Sequence, residues 1–304
     1  VIEATGLTKR YGPTLAVDDL SFSVSAGRVT GFLGPNGAGK STTMRMMLGL
    51  DRPTAGDVRI GNRHYDELDH PLRTVGALLE AGWVHPNRSA RNHLRWIARS
   101  NDIPDRRVDE VLGLVGLTSV AGKRAGGYSL GMQQRLGIAG ALLGDPEVLL
   151  FDEPVNGLDP EGIHWIRELM HTLAGEGRTV FVSSHLLSEM AQTAQDLVVI
   201  GRGKLIYQGT TDDFVASATA RTVRVRSPQL PELKQALTRR EVSFDESDGA
   251  LTVSGMDSDA VGELAFAAGV TLHELAPQRG SLEQAFMQLT GEAVEFHTGE
   301  PTPD

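Results

Sequence analysis

One stretch, Gly34-Pro35-Asn36-Gly37-Ala38-Gly39-Lys40-Ser41, restricts the possible folds more than any other. It reads G-x-x-x-x-G-K-[ST], and its flanks place it at a strand-to-helix turn. Before it, Arg28-Val29-Thr30-Gly31-Phe32-Leu33 is the apolar run of a buried strand; after it, Met44, Met47 and Leu48 share one face of a helix over residues 41–50. Backbone N–H groups in such a turn converge on one concavity, and the helix N-terminus adds partial positive charge, so a polyphosphate is the natural occupant. Asn36, Gly37, Ala38 and Gly39 form the cradle, where a side chain in place of glycine would block the phosphate or forbid a positive φ. At these positions Lys40 reaches the β- and γ-phosphates and the Ser41 hydroxyl holds Mg²⁺. A glycine-rich turn without a ligand is the alternative, and the strand and helix on either side argue against it.

The length of 304 residues gives room for about two domains. A net charge of −10 argues against a nucleic-acid groove, which needs clustered Lys and Arg. The absence of cysteine excludes disulfides, thiolate metal sites and thiol catalysis, and is compatible with a cytoplasmic protein. Residues 136–143 and 148–151 are the longest apolar candidates, far below the roughly 18 residues of a membrane span. No basic segment followed by an apolar core suggests secretion.

Residues 2–7 and 20–24 read as two short strands, with Asp18-Asp19 and Tyr11 in the connection between them. An aromatic ring there, with Val17 nearby, could stack on a purine base or simply cap a loop. After the turn cluster Asp51-Arg52-Pro53-Thr54-Ala55-Gly56, residues 57–61 alternate as a strand, and the apolar run 75–79 ends at Glu80. Residues 86–144 switch to helical spacing, marked by Leu94 and Ile97, by Val108, Val111 and Leu112, and by Leu136, Ala139 and Leu142, so a helical block is inserted into a strand-and-helix domain.

The core pattern resumes at residues 147–151, an apolar strand ending in Asp152-Glu153-Pro154. An acidic pair delivered by a strand into a phosphate-binding domain suits Mg²⁺ support by the first carboxylate and proton removal from water by the second. Apolar walls would favour the second role by raising the pKa of Glu153; simple punctuation of a strand end is the alternative. A helix over 162–173 and a strand at Thr179-Val180-Phe181-Val182 lead to Ser183-Ser184-His185. Ligands of open parallel sheets gather beyond the carboxyl ends of strands, which puts His185 beside the acidic pair. Residues 197–200 and 204–207, joined by Gly201-Arg202-Gly203, form a closing hairpin.

Taken together and in this order, the motifs resemble the nucleotide-binding domain of ABC transporters over roughly the first 215 residues. In the resemblance, residues 34–41 with Thr42 adjoining are Walker A and residues 148–152 are Walker B. Glu153 matches the catalytic glutamate, His185 the switch histidine, Tyr11 the aromatic that stacks on adenine, and Asn156-Gly157-Leu158-Asp159 the D-loop. Tyr128-Ser129-Leu130-Gly131-Met132-Gln133-Gln134-Arg135 stands in the place of the signature motif, retaining Ser129 and Gly131 but with Leu130 and Met132 for the usual glycine and glutamine. Glu80 occupies the Q-loop glutamine position, where it can offer oxygen to Mg²⁺ and brings a further negative charge. These variants, with His85-Pro86-Asn87-Arg88, look like the bacterial exporter branch related to antibiotic-resistance and self-immunity pumps.

The resemblance implies an α/β P-loop NTPase fold of ABC type with a helical subdomain near 86–144. It also implies ATP and Mg²⁺ as cofactors and head-to-tail pairing, most simply as a homodimer, in which Ser129 and Gly131 cover the partner's ATP. A separate transmembrane permease would receive the motion, placing the chain on the cytoplasmic face of the membrane. An ATP-gated clamp with little turnover and a soluble non-transport ABC ATPase are the rival expectations.

The first domain is expected to span 1–216, with 216–220 as a linker and a small α+β domain over 217–291. That domain reads as strand 222–226, helix 231–240, hairpin strands at 242–246 and 251–253 around Asp248-Gly249, helix 257–268 and strand 270–275. Ser281-Leu282-Glu283-Gln284 then caps a last helix, and the whole suits a split β-α-β arrangement serving packing or dimer stability. Residues 292–304 form a polar, proline-containing tail expected to be mobile.

Overall fold

The computed structural model describes residues 1–80, 82, 84–218, 222–278 and 281–290. Part of the expected linker, Thr219 and Ala220, and the expected tail 292–304 lie outside the described residues. Contacts divide the chain into two compact units, Val1–Thr210 and Thr211–Asp304.

The first unit runs β1 (Ile2–Tyr11), β2 (Thr14–Val24), β3 (Val29–Leu33), α1 (Lys40–Met47), β4 (Ala55–Ile60), α2 (Pro71–Thr74) and β5 (Val75–Leu78). The helices α3 (Ala90–Ser100), α4 (Arg106–Leu114) and α5 (Leu130–Leu142) follow. The unit closes with β6 (Val148–Asp152), α6 (Pro160–Gly175), β7 (Thr179–Ser184), α7 (Leu187–Thr193), β8 (Asp196–Gly201) and β9 (Lys204–Thr210). One sheet has the order β2-β1-β4 and is antiparallel; the other has the order β5-β6-β7-β3-β8-β9, parallel except for β9.

The hairpin of β1 and β2 is longer than the residue pattern suggests. Tyr11 does not lie in a long connection: it ends β1, opposite Thr14. Register shifts between Ala4 and Leu7, Leu7 and Lys9, and Lys9 and Arg10 break the alternation by which a strand is read. In the central sheet every residue of β3 and β7 is buried, as expected of parallel strands covered on both faces. Between the two sheets, the rings of Phe22, Phe32 and Phe181 pack together at centroid separations of 5.0 to 5.8 Å.

Sheet order decides where the site forms. The strands β6, β7 and β3 are neighbours, with Asp152 opposite Ser183 and Leu33 opposite Ser184, so their carboxyl ends finish side by side. The phosphate-loop sequence, the acidic pair and His185 leave the sheet from that one edge.

The second unit runs α8 (Thr211–Ala218), β10 (Thr222–Arg226), α9 (Leu230–Arg239), β11 (Phe244–Ser247), β12 (Ala250–Ser254), α10 (Ser258–Ala267), β13 (Glu274–Gln278) and α11 (Leu282–Thr290). Its antiparallel sheet has the order β11-β12-β10-β13, and from β10 to β13 the elements follow the β-α-β-β-α-β sequence of the split arrangement. The last strand starts at Glu274 rather than at Val270, whose N–H instead donates to Ala265 O at 2.9 Å and closes the end of α10. Ser281 caps α11 reciprocally with Gln284: Ser281 N donates to Gln284 Oε1 at 2.9 Å, and Gln284 N to Ser281 Oγ at 3.1 Å.

Candidate active site

Between β3 and α1 the chain makes a turn that only glycine tolerates at its last position. Gly39 has φ 104°, and a β-carbon there would lie 2.6 Å from the carbonyl oxygen of Ala16 and 3.1 Å from Val17. The loop is also held from behind, because Gly203 N donates to Ala38 O at 3.0 Å while Gly203 O accepts from Asp18 N at 2.9 Å. A cleft of about 250 Å³ opens on this turn, lined by Ala16, the residues 36–42 and Glu153. A larger groove of about 690 Å³ lies past the end of α1, around Met46, Arg52 and Tyr65, and includes none of the loop residues.

Lys40 is buried, with 7% of its surface exposed, and its Nζ donates to Gly34 O at 2.7 Å and Pro35 O at 3.3 Å. Burial holds its ammonium below the usual lysine range, against the opposing pull of Glu153 and Asp152. Glu153 Oε1 lies 4.0 Å from that ammonium, so the cation has its counter-charge across the cleft. The other carboxylate oxygen, Oε2, meets His185 Nδ1 at 2.7 Å and accepts the His185 backbone N–H at 3.4 Å. On the neighbouring strand, Ser183 Oγ donates to Asp152 Oδ1 and accepts Glu153 N–H at 3.0 Å. Lys40, Asp152, Glu153 and His185, distant in the sequence, thus form one linked group.

A family model described as ABC transporter matches residues 17–156, and a model of a domain of unknown function matches residues 221–283. Bacitracin transport ATP-binding protein BcrA of Bacillus licheniformis is 38% identical over 302 residues, spanning 96% of this chain and 97% of that protein. The chain belongs to the ATP-binding proteins of ABC transporters. Lantibiotic transport ATP-binding protein SrtF of Streptococcus pyogenes is 34% identical over 70% of this chain and 92% of its own. A solved ATP-binding subunit of an ABC transporter superposes with a TM-score of 0.65 at 26% identity, over 71% of this chain and 92% of that one. The dimeric cassette MJ0796 shares the fold, with a TM-score of 0.64 at 24% identity over 69% and 98% of the two chains. Like its family, this ABC protein is an ATPase.

The remaining motif positions of the ABC protein sit apart from the linked group. Tyr11 is 45% exposed, its hydroxyl donates to Asp51 Oδ2 at 2.8 Å, and Arg45 Nε donates to the same oxygen at 2.7 Å. That tether fixes the ring beside the end of α1, with Lys9 Nζ 4.8 Å over it. Val17 is fully buried behind Gly39, and Ala16 takes its place on the cleft wall. Ser129 is the N-cap of α5, accepting Met132 N–H at 3.2 Å, and Asp159 is the N-cap of α6, accepting Gly162 N–H at 2.9 Å. Glu80 follows β5 and is exposed.

Two neighbours of this ABC site were not legible as site residues. Ser183 joins both acids, yet a serine at a strand end carries no spacing signal of its own. Ala16 lines the cleft through its position in β2, which the residue pattern had placed in a loop.

Proposed function

We propose that this chain powers a membrane exporter by binding ATP between two copies of itself and hydrolysing it there. The observation that carries the reading is the meeting of Lys40, Asp152, Glu153 and His185 at one edge of the central sheet, opposite the cradle of residues 34–41. In this reading the triphosphate lies along the amides of Gly37 to Ser41, and the Lys40 ammonium neutralises charge on the transferring phosphoryl group. Glu153 accepts a proton from the attacking water, held by His185, which also contacts the γ-phosphate. Tyr11 offers a ring for the adenine.

The donors fit Mg²⁺. Among the described residues no group of three or more His, Cys, Asp and Glu side chains stands ready for a metal, so a closed protein cage is not what the cleft offers. In this reading the oxygens would come from the Ser41 hydroxyl on the cleft wall and from the Asp152 carboxylate at the end of β6, with Glu80 after the neighbouring strand, and phosphate oxygens would complete the set. Mg²⁺ would there offset the negative charge of the phosphates.

Ser129 and Gly131, at the exposed start of α5, would cover the nucleotide of the facing subunit, and Asp159 would lie at that interface. No described helix is long and apolar enough to cross a membrane, so the translocation path would belong to a separate permease, with this chain on its cytoplasmic side. The nearly full-length match to a bacitracin transport protein and the match to a lantibiotic transport protein support an exporter of the antibiotic-resistance type.

The test is Mg²⁺-dependent ATP hydrolysis by the purified chain. Lys40→Ala and Glu153→Gln should each lower turnover by about 100-fold or more, and Glu153→Gln should accumulate an ATP-bound dimer. Unchanged turnover in Lys40→Ala would sink the reading, while ATP-driven dimerisation without phosphate release in the wild type would make the chain a clamp.

A further inference from the structure

We propose that Gln134 is a positioning residue for Glu153. Through it, α5, whose first turn carries Ser129 and Gly131, sets the aim of the carboxylate that activates water in the same chain. The proposal rests on the reading of Glu153 given above.

Gln134 is one of the few polar side chains buried among the described residues. A buried amide is costly unless it is hydrogen-bonded, and its Nε2 donates at 3.3 Å to the carbonyl oxygen of Glu153, 19 positions along the chain. Glu153 itself has φ 50°, a left-handed backbone that a long side chain adopts only where its surroundings impose it. Its N–H is held by Ser183 Oγ at 3.0 Å, from β7. Its carbonyl is held by Gln134, from α5, and by the Asn156 N–H at 3.2 Å in the following turn. With the peptide fixed on both sides, the bond from Cα to Cβ points the carboxylate at His185 and Lys40. Without Gln134, the left-handed backbone loses one of its supports and the carboxylate can swing away.

The same helix touches the same segment a second time. Leu130 lies over Gly157, where a β-carbon would come within 2.3 Å of the leucine side chain. Gly131 faces the Gly157 carbonyl, its own β-carbon position 3.1 Å away. The segment from Glu153 to Leu158 is therefore held by α5 at two points, and a displacement of α5 reaches Glu153 directly. This gives the leucine that replaces the usual signature glycine a function: it presses on the D-loop of its own chain. When Ser129 engages the nucleotide of the facing subunit, the shift in α5 is read out as a change in the aim of Glu153.

The experiment measures ATP hydrolysis, ATP affinity and thermal unfolding of the purified full chain carrying Gln134→Met, Gln134→Glu or Glu153→Gln. Gln134→Met keeps the side-chain length and removes the donor. Its kcat should fall roughly 10- to 100-fold, with ATP affinity and unfolding midpoint unchanged. Gln134→Glu, which sets a carboxylate against the carbonyl, should fall further. Hydrogen exchange over residues 153–158 should quicken in Gln134→Met, a readout independent of turnover. Wild-type exchange there, or turnover within about twofold of wild type beside an inactive Glu153→Gln, overturns the proposal. So does a loss of ATP affinity that accounts for the whole loss of rate. Full turnover in Glu153→Gln would instead overturn the reading of Glu153. Should Gln134→Met fail to fold, Leu130→Ala removes an exposed side chain at the other contact: a severalfold lower kcat at unchanged affinity supports the proposal, and unchanged turnover overturns it.

Discussion

The two units of this chain bury different things. In the first, Lys40, Gln134, Ser183 and Ser184 lie among the buried residues together with four threonines, and the first three of these bond to backbone or carboxylate groups around the cleft. In the second, every buried residue described is apolar, from Val223 and Val225 through Leu233, Leu237, Leu251 and Val253 to Val261. Burying a polar group costs free energy unless its bonds are replaced, and Lys40, Gln134 and Ser183 recover that cost in bonds that hold the groups of the cleft in place. The contrast teaches that the first unit spends stability on alignment around the cleft, whereas the described interior of the second tolerates substitution wherever volume is preserved.

The largest effect that separates the two is in the second unit. Leu237, fully buried on α9, becomes a cavity in Leu237→Ala, at a cost of roughly 2–5 kcal/mol. Denaturant unfolding should show that loss, while ATP affinity and kcat stay at wild-type values. A matching loss of turnover would break the comparison, because the second unit would then take part in alignment. Gly39→Ala is the counterpart in the first unit, and its expected effect is smaller in energy and larger in function. The added β-carbon meets the Ala16 carbonyl at 2.6 Å on a backbone with φ 104°, so the cradle must open to accept it. ATP affinity should drop on the order of 100-fold, and the unfolding midpoint should fall by a few degrees, because strain of about 1–3 kcal/mol falls on the folded state. Binding titrations that found wild-type affinity would mean that the amides of this turn do not carry the phosphate.

The same division explains what the residue pattern could disclose. The cradle and the acidic strand end were legible because their chemistry fixes residue types at fixed spacings: glycine where a carbonyl approaches, lysine after it, carboxylates at the end of an apolar strand. The open end of the first hairpin, Ile2 and Val24, was legible, but its turn end was not, because three register shifts in β1 put charged residues such as Lys9 and Arg10 where alternation fails. At β13 the apolar Val270 and Leu272 drew the expected strand too early, and Pro277 spoke against the strand that exists; a proline is tolerated there because β13 is the edge of its sheet. Gln134 and Ser183 were illegible for another reason. Each bonds to a backbone group brought near only by the fold, so nothing in the local sequence marks them.

The smallest effect concerns the helical block, which adds a buried polar group without an evident catalytic task. His93 on α3 is partly buried, and its Nδ1 has no hydrogen-bond partner. Burial, with a lesser contribution from Arg88, holds its pKa below the ordinary histidine value of about 6.5. The folded state therefore takes up its proton less readily than the unfolded chain. Stability from neutral His93 is fully present above about pH 6.5 and is lost as pH falls towards the lower folded value. His93→Phe removes this titration while keeping a ring in the space. Thermal unfolding followed from pH 7 to pH 5 should show the wild type losing about 1–3 °C more than His93→Phe over that window. Parallel profiles would mean that the ring gains a partner for its proton within the fold.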